Sequence, residues 1–294
     1  MDEDLVKRVK GYKANLGPHL DSPALAMIVL SFNHEGNIAK IFERLHPVAD
    51  ELIVCEDGSL DSSLETWRKL LTGRNDFLLR SNDLHEIRAF NRAISYSRAS
   101  FVCLMQDDDI PPESDEWVCH AMSLFDADPR LAVLGGFHGI LLDAEGKETG
   151  VYGCRDGKWS DRGVKDIPTM TATGIPFMHV AGVTTSPTFI RRRAFIELLG
   201  FDLDFGAAGE SAPFFVPELC LRAWMNDWHI GLYGLPPMAF ERQIGGKGTG
   251  AFCNESIRNN NERVSKLLDL RYEGRNYDYI LRKITALNST LKRG

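Results

Sequence analysis

The sequence predicts an α/β fold: a mainly parallel sheet flanked by helices, in a single continuous domain with a helical C-terminal tail. Short apolar and β-branched runs alternate with helix-period segments through the first half of the 294 residues, the pattern of strands joined by crossover helices. The first run, Leu25 to Ser31 (LAMIVLS), is apolar at almost every position, as suits a strand covered on both faces. A hydrophobic content of 44% fills one large core, and no repeat or low-complexity linker divides the chain.

The elements follow in order. After the first strand, Gly36 and Asn37 open a helix with Ile38, Ile41, Phe42 and Leu45 on one stripe, the spacing of a buried helical face. Leu52 to Cys55 is the second strand, and Asp61 suits the cap of a helix through Trp67 and Leu70, because a short carboxylate accepts unpaired first-turn N–H groups. Phe77 to Leu79 is the third strand. His85 to Ser97 reads as helix, with Ile87, Phe90, Ala93 and Ile94 inward, and Phe101 to Met105 as the fourth strand. Pro111 and Pro112 stop any continuation. A helix near Trp117 to Phe125 and a strand at Leu131 to Leu134 come next. From Asp143 to Pro176 periodicity fades into a long loop or hairpin region, of the kind that carries binding residues. A strand at Thr188 to Ile190, helices at Arg193 to Leu199 and Pro217 to Asn226, and a strand at His229 to Tyr233 restore the order. The stretch Ile244 to Gly250 (IGGKGTG) is a glycine-rich loop, and a helical tail runs from Asn260.

Composition excludes several classes. No apolar run reaches the roughly 18 to 20 residues of a membrane span. The first residues, MDEDLVKRVKGYKANL, place Leu5, Val9, Tyr12 and Leu16 at helical spacing without the apolar block of a signal peptide, so residues 1–21 read as a helical extension and the protein as cytoplasmic. A net charge of −7 argues against nucleic acid as a partner. The six cysteines form no C-x-x-C pair, so reduced, buried thiols are expected and zinc or disulfide frameworks are not.

Parallel sheets bind ligands where strands end, since loops converge there and helix N-termini point into the crevice. Three polar clusters fall on such ends: Ser31 to Glu35, Glu56 to Ser59, and Gln106 to Asp109. Each alone is ordinary loop chemistry; three on one edge indicate a site. Asp107, Asp108 and Asp109 repel one another, and partial burial of that charge calls for a cation. Oxygen ligands suit Mg²⁺ or Mn²⁺, with water and substrate phosphates filling the remaining positions. The implied ligand is a nucleoside diphosphate derivative.

Four segments carry a resemblance: PALAMIVLSFN, EDGSLDSS, RSNDLHEIRAFNRAI and FVCLMQDDDIPP, followed by RRRAFIELLGFD and ELCLRAWMNDWHI. In order and spacing they resemble glycosyltransferase family 2, with its Rossmann-like GT-A fold, over about residues 22–245. The resemblance implies a nucleotide-sugar-binding half (22–136), an acceptor-side half (137–245), and a glycine-rich loop and helical tail (246–294). It implies a metal-dependent transfer from a nucleoside-diphosphate sugar to an acceptor hydroxyl, with inversion. Asp57, with Glu56 beside it, would hold the base or ribose, while Phe32, Asn33 and Glu35 would close over the nucleotide. The Asp-x-Asp motif falls on Asp107 and Asp109 or, shifted by one, on Asp108, and a register fixed by Ile110-Pro111 sets Gln106 at its first position. Which two carboxylates reach the metal stays open. Arg88 and Asn91 match the helix before strand four, where an Arg faces the phosphates.

The sequence departs from the family pattern twice. Phe215 and Val216 replace the Glu-Asp pair that supplies the general base. Glu210, in the turn GAAGES, and Glu218 are the nearest substitutes, although Glu218 and Arg222 stand at i,i+4 and suit a simple helix pair. Where the family often has a late metal-ligating histidine, this chain has Phe240-Glu241-Arg242-Gln243, which makes Glu241 the replacement ligand and Arg242 a contact for the leaving diphosphate. The resemblance also implies a glycan or lipid-linked glycan acceptor. Arg271, Arg275, Arg282, Lys283, Lys292 and Arg293 outnumber Glu273 and Asp278 in the tail, which suits either peripheral contact with an anionic inner membrane face or an ordinary solvated helix packing on the domain. Nothing in the sequence sets the oligomeric state.

Other readings fit less well. A nucleotidyltransferase would want a glycine-rich basic first loop, where this chain has His34-Glu35. A phosphatase with an Asp nucleophile would place it after the first strand. A dehydrogenase would need G-x-G-x-x-G there. The missing Glu-Asp pair leaves open a non-catalytic nucleotide-sugar-binding module.

Overall fold

The computed structural model describes residues 23–136, 138–142, 148–155, 158–159, 168–206, 212, 214–234, 241–242, 254–272 and 275–291. The expected N-terminal extension, Glu210 and the glycine-rich loop lie outside the described residues.

Leu25–Ser31 (β1), Glu35–Leu45 (α1), Glu51–Glu56 (β2), Ser63–Leu70 (α2), Asp76–Arg80 (β3), His85–Tyr96 (α3) and Phe101–Gln106 (β4) match the expected alternation within two residues at each end. Next come Asp109–Ile110 (β5), Glu116–Ala127 (α4), Leu131–Gly135 (β6), His138–Leu142 (β7), Glu148–Arg155 (β8), Lys158–Trp159 (β9), Phe177–His179 (β10), Gly182–Val183 (β11) and Thr188–Arg191 (β12). Arg192–Glu197 (α5), Phe215–Met225 (α6), His229–Tyr233 (β13), Glu241–Arg242 (β14), Asn254–Tyr272 (α7) and Arg275–Asn288 (α8) complete the chain.

The main sheet has eight strands in the order β10-β13-β6-β12-β4-β1-β2-β3. β12 lies antiparallel between β4 and β6, and β10 antiparallel to β13; the other strands run one way. A smaller sheet, β11-β7-β8-β9, occupies part of the region expected as loop or hairpin. β10 and β11 are not legible beforehand, because two or three residues are too few to show alternation.

The period of two in β1 sorts its side chains between two cores. Ala26 and Ile28 join α3, α6 and the tail helices, while Leu25, Met27 and Val29 join α1, α2 and α4. Each large side chain so buried stabilises the fold by about 1.5–3 kcal/mol. α1 buries Ile38, Ile41 and Leu45, leaving Phe42 partly covered. Asp61 accepts the N–H of Ser63 at 2.9 Å and that of Glu35 at 3.0 Å, so one carboxylate serves the first turns of two helices.

The tail is two helices rather than one, and it packs on the domain through Val264, Leu268, Tyr272, Ile280 and Ile284. Arg271 pairs with Asp202 and Asp204, and Lys283 with Asp227. Asn288 exchanges two hydrogen bonds with the main chain of His179, at 2.7 and 2.9 Å. The side-chain amide thereby extends the edge strand β10. Among the described residues no helix is long and apolar enough to cross a membrane.

Candidate active site

β1, β2 and β4 end on the same edge of the sheet, and their following loops wall a cleft of about 430 Å³. Phe32 and His34 come from the first loop, Asp57 and Gly58 from the second, and Gln106, Asp107 and Asp108 from the fourth. Asn82, Asp83, His85 and Glu86, from the turn into α3, complete the wall.

The first loop is held from below by Asp107. Its Oδ2 accepts the N–H of Phe32 at 2.7 Å, its Oδ1 faces Nδ1 of His34 at 2.9 Å, and its carbonyl accepts from Asn37 at 2.9 Å. Asn33 turns the chain with φ of 54°, accepts from the N–H of Leu60 at 2.7 Å and donates its own N–H to Ser59 at 3.0 Å. Glu35 accepts from the N–H of Ser62 at 2.8 Å. Asn33 and Glu35 thus join the first and second loops to each other, and neither side chain belongs to the cleft wall.

Asp57 organises the third wall. Oδ1 accepts from Ser81 at 2.8 Å and from the N–H of Leu84 at 2.9 Å, and Oδ2 accepts the N–H of His85 at 2.9 Å. A carboxylate on the end of β2 therefore serves the first turn of α3. Gly58 must be glycine: its φ is 90°, and a Cβ would stand 2.2 Å from Oδ1 of Asn82. Glu56 is fully buried, accepts the N–H of Ser59 at 2.6 Å and leaves Oε2 without a hydrogen bond, 3.8 Å from Nε of Arg80. Glu86 accepts the N–H of Ala212 at 3.3 Å, which ties the cleft to the segment before α6. Burial pushes its carboxyl above the usual range.

The aspartate run expected to bind metal is divided by the fold. Asp107 and Asp108 line the cleft, whereas Asp109 sits in β5, paired with β14 so that Glu241 stands opposite Ile110 and Arg242 opposite Asp109. The pairing brings this late segment beside Asp109 and Ile110. Arg88 donates to the carbonyl of Gly206 at 3.1 Å and is not on the cleft wall. Asn91 brackets Phe201, accepting its N–H and donating to its carbonyl, both at 2.8 Å. Glu218 is fully buried, with Arg222 on both oxygens at 2.9 and 2.7 Å and the Tyr272 hydroxyl at 2.9 Å. Its observed contacts are those of the helix pair.

Asn82, Asp83, His85 and Glu86 are wall residues that sequence reasoning left without roles. The signal was the polar run after β3, where Asp83 and His85 adopt φ of 57° and 54°, a region non-glycine residues seldom enter.

The family model for glycosyl transferase family 2 matches residues 27–199, more than half of the chain. The chain belongs to glycosyl transferase family 2. The match spans the cleft loops and most of the main sheet. Among solved structures, Staphylococcus aureus TarS 1–349 in complex with UDP-GlcNAc is similar at a TM-score of 0.56 and 16% identity, covering 89% of this chain and 71% of that one. A crystal structure of a mycobacterial protein gives 0.53 at 13% identity, covering 90% and 77%. These likenesses establish the shared fold. No curated protein sequence matches the chain. As a family 2 member, the protein is a glycosyltransferase with the GT-A architecture.

Proposed function

We propose that the protein transfers a sugar from a nucleoside-diphosphate sugar, with a uridine donor the first to test, to an acceptor hydroxyl in an Mg²⁺- or Mn²⁺-dependent, inverting reaction. One observation carries the cation requirement. Asp57, Asp83, Glu86, Asp107 and Asp108 face the cleft, and among its described lining residues there is no Lys or Arg. A diphosphate entering such a wall meets like charge. The carboxylate donor set fits a hard divalent cation, which when bound would neutralise the leaving diphosphate. Asp108, with Asp109 and Glu241 at the paired β5–β14 segment, is the set proposed to hold it, while Asp107 shapes the loop above.

Asp57 and the turn it organises are proposed to receive the nucleoside, and Phe32 to cover it. Glu210 is proposed as the base that takes the acceptor proton, because the two oxygens of Glu218 are already engaged by Arg222 and Tyr272. The uridine proposal draws on TarS 1–349, whose structure contains UDP-GlcNAc. The acceptor class proposed is a glycan or lipid-linked glycan. The family match does not favour a nucleotidyltransferase.

Calorimetry with UDP, GDP and dTDP sugars, with Mn²⁺ and again with EDTA, tests the donor reading. Binding of one donor class that disappears in EDTA supports it. Equal binding without metal, or none to any donor, overturns it.

A further inference from the structure

Opposite the cleft, at the edge where β6 and β13 begin and β10 ends, three potential metal donors converge. Asp128 precedes β6, His179 closes β10 and His229 opens β13, and one donor atom from each lies within 4.8 Å of the other two. We propose that Asp128, His179 and His229 form a second metal site, for a divalent transition ion such as Zn²⁺ or Co²⁺, separate from the aspartate motif of the cleft.

Hydrogen bonding holds both imidazoles in place. His229 Nδ1 stands 2.7 Å from Asp128 Oδ2, and His179 Nδ1 stands 3.3 Å from the carbonyl of Ile230. A carbonyl only accepts, so His179 carries its proton on Nδ1 and a lone pair on Nε2, while an ion bound beside Asp128 would displace the proton that His229 Nδ1 shares with that carboxylate. Neither Nε2 has a hydrogen-bond partner among the described residues. His179 shows the arrangement of a metal-binding histidine, its second nitrogen donating to a backbone carbonyl.

The surroundings agree. The two rings lie 5.4 Å apart between centroids at 81°, beside Trp224 and Phe177. His179 is 4% exposed. Asp128 and His229 are 17% and 15% exposed, which leaves an entry path and room to close on an ion. Two imidazoles and one carboxylate favour a borderline transition ion over Mg²⁺. Such an ion would staple the edge strand β10, whose main chain Asn288 already holds, to β13 and to the turn before β6.

The test uses the full chain at pH 7.5, titrated with Co²⁺ and followed by visible absorption, with Zn²⁺ competition and thermal melting alongside. One saturating equivalent is expected, with Tm raised by about 5 °C at a hundredfold excess over Kd. His179→Phe keeps a buried ring without nitrogen donors, and His229→Gln alters a partly exposed position; both should abolish the absorption band and the Tm shift. Asp108→Asn should leave both intact. Absence of a saturable band, or a band that survives in both histidine variants, overturns the site.

Discussion

The carboxylate of Asp107 stands 2.9 Å from Nδ1 of His34. Its other oxygen holds the N–H of Phe32. The first residue of the aspartate run is therefore engaged with the loop after β1, while Asp108 lines the cleft beside it.

Asp107→Ala is expected to lower stability by about 1.5–3 kcal/mol, the usual cost of losing a charged acceptor to buried partners. Asp108→Asn should remove the metal-dependent part of nucleotide-sugar binding. Paired urea melts and calorimetry separate the two. Metal-dependent binding that survives in the Asp108 variant would remove that carboxylate from the cation site.

Gly58→Ala is expected to destabilise by at least about 1 kcal/mol and to weaken nucleotide binding together with stability. The left-handed φ disfavours any Cβ, and the 2.2 Å approach to Oδ1 of Asn82 forces that cleft-wall side chain to move. Circular dichroism melts and a UDP-sugar titration read both effects.

Glu210→Gln is expected to cut turnover by about 10² to 10⁴ with nucleotide affinity retained. Glu218→Gln should instead destabilise by about 3–5 kcal/mol, since it leaves the Arg222 guanidinium without its charge partner. Steady-state kinetics beside chemical unfolding distinguishes them. Normal turnover in the Glu210 variant would return the base to an unassigned position.

Glu86 sets a pH dependence. Its carboxyl is held above the ordinary value of 4.5, chiefly by burial. Between 4.5 and that raised value the folded protein keeps a proton that the unfolded chain has lost. This contribution to stability is therefore complete below 4.5 and is lost as pH rises through the folded pKa. Glu86→Gln should flatten this part of the curve of unfolding free energy against pH, measured by urea unfolding from pH 4 to 8. An unaltered slope in the variant would show that the carboxyl is not desolvated.

Arg271→Ala is expected to destabilise the docking of α7, because its guanidinium joins Asp202 and Asp204 and lies over the Phe205 ring at 5.2 Å. With Arg271 and Lys283 so engaged, the full chain should not sediment with anionic vesicles at physiological salt. Co-sedimentation that requires the tail would restore the membrane reading.

The sequence determined by itself the alternating elements of the first half and the edge on which the polar clusters fall. Apolar runs of five to seven residues and stripes such as Ile38, Ile41 and Leu45 have a period, and a period is local information. The family followed from the order of short motifs along the same segments. Only the tertiary structure decided which polar residues face the cleft and which hold it together. Asn33, Glu35 and Asp107 look alike as loop residues, yet the first two tie neighbouring loops and the third supports Phe32 and His34. Hydrogen bonds across 26 to 75 residues make that distinction, and no sequence window contains them. The triad of Asp128, His179 and His229 was hidden for the same reason: its members meet only because β10 and β13 pair and the turn before β6 lies beneath them.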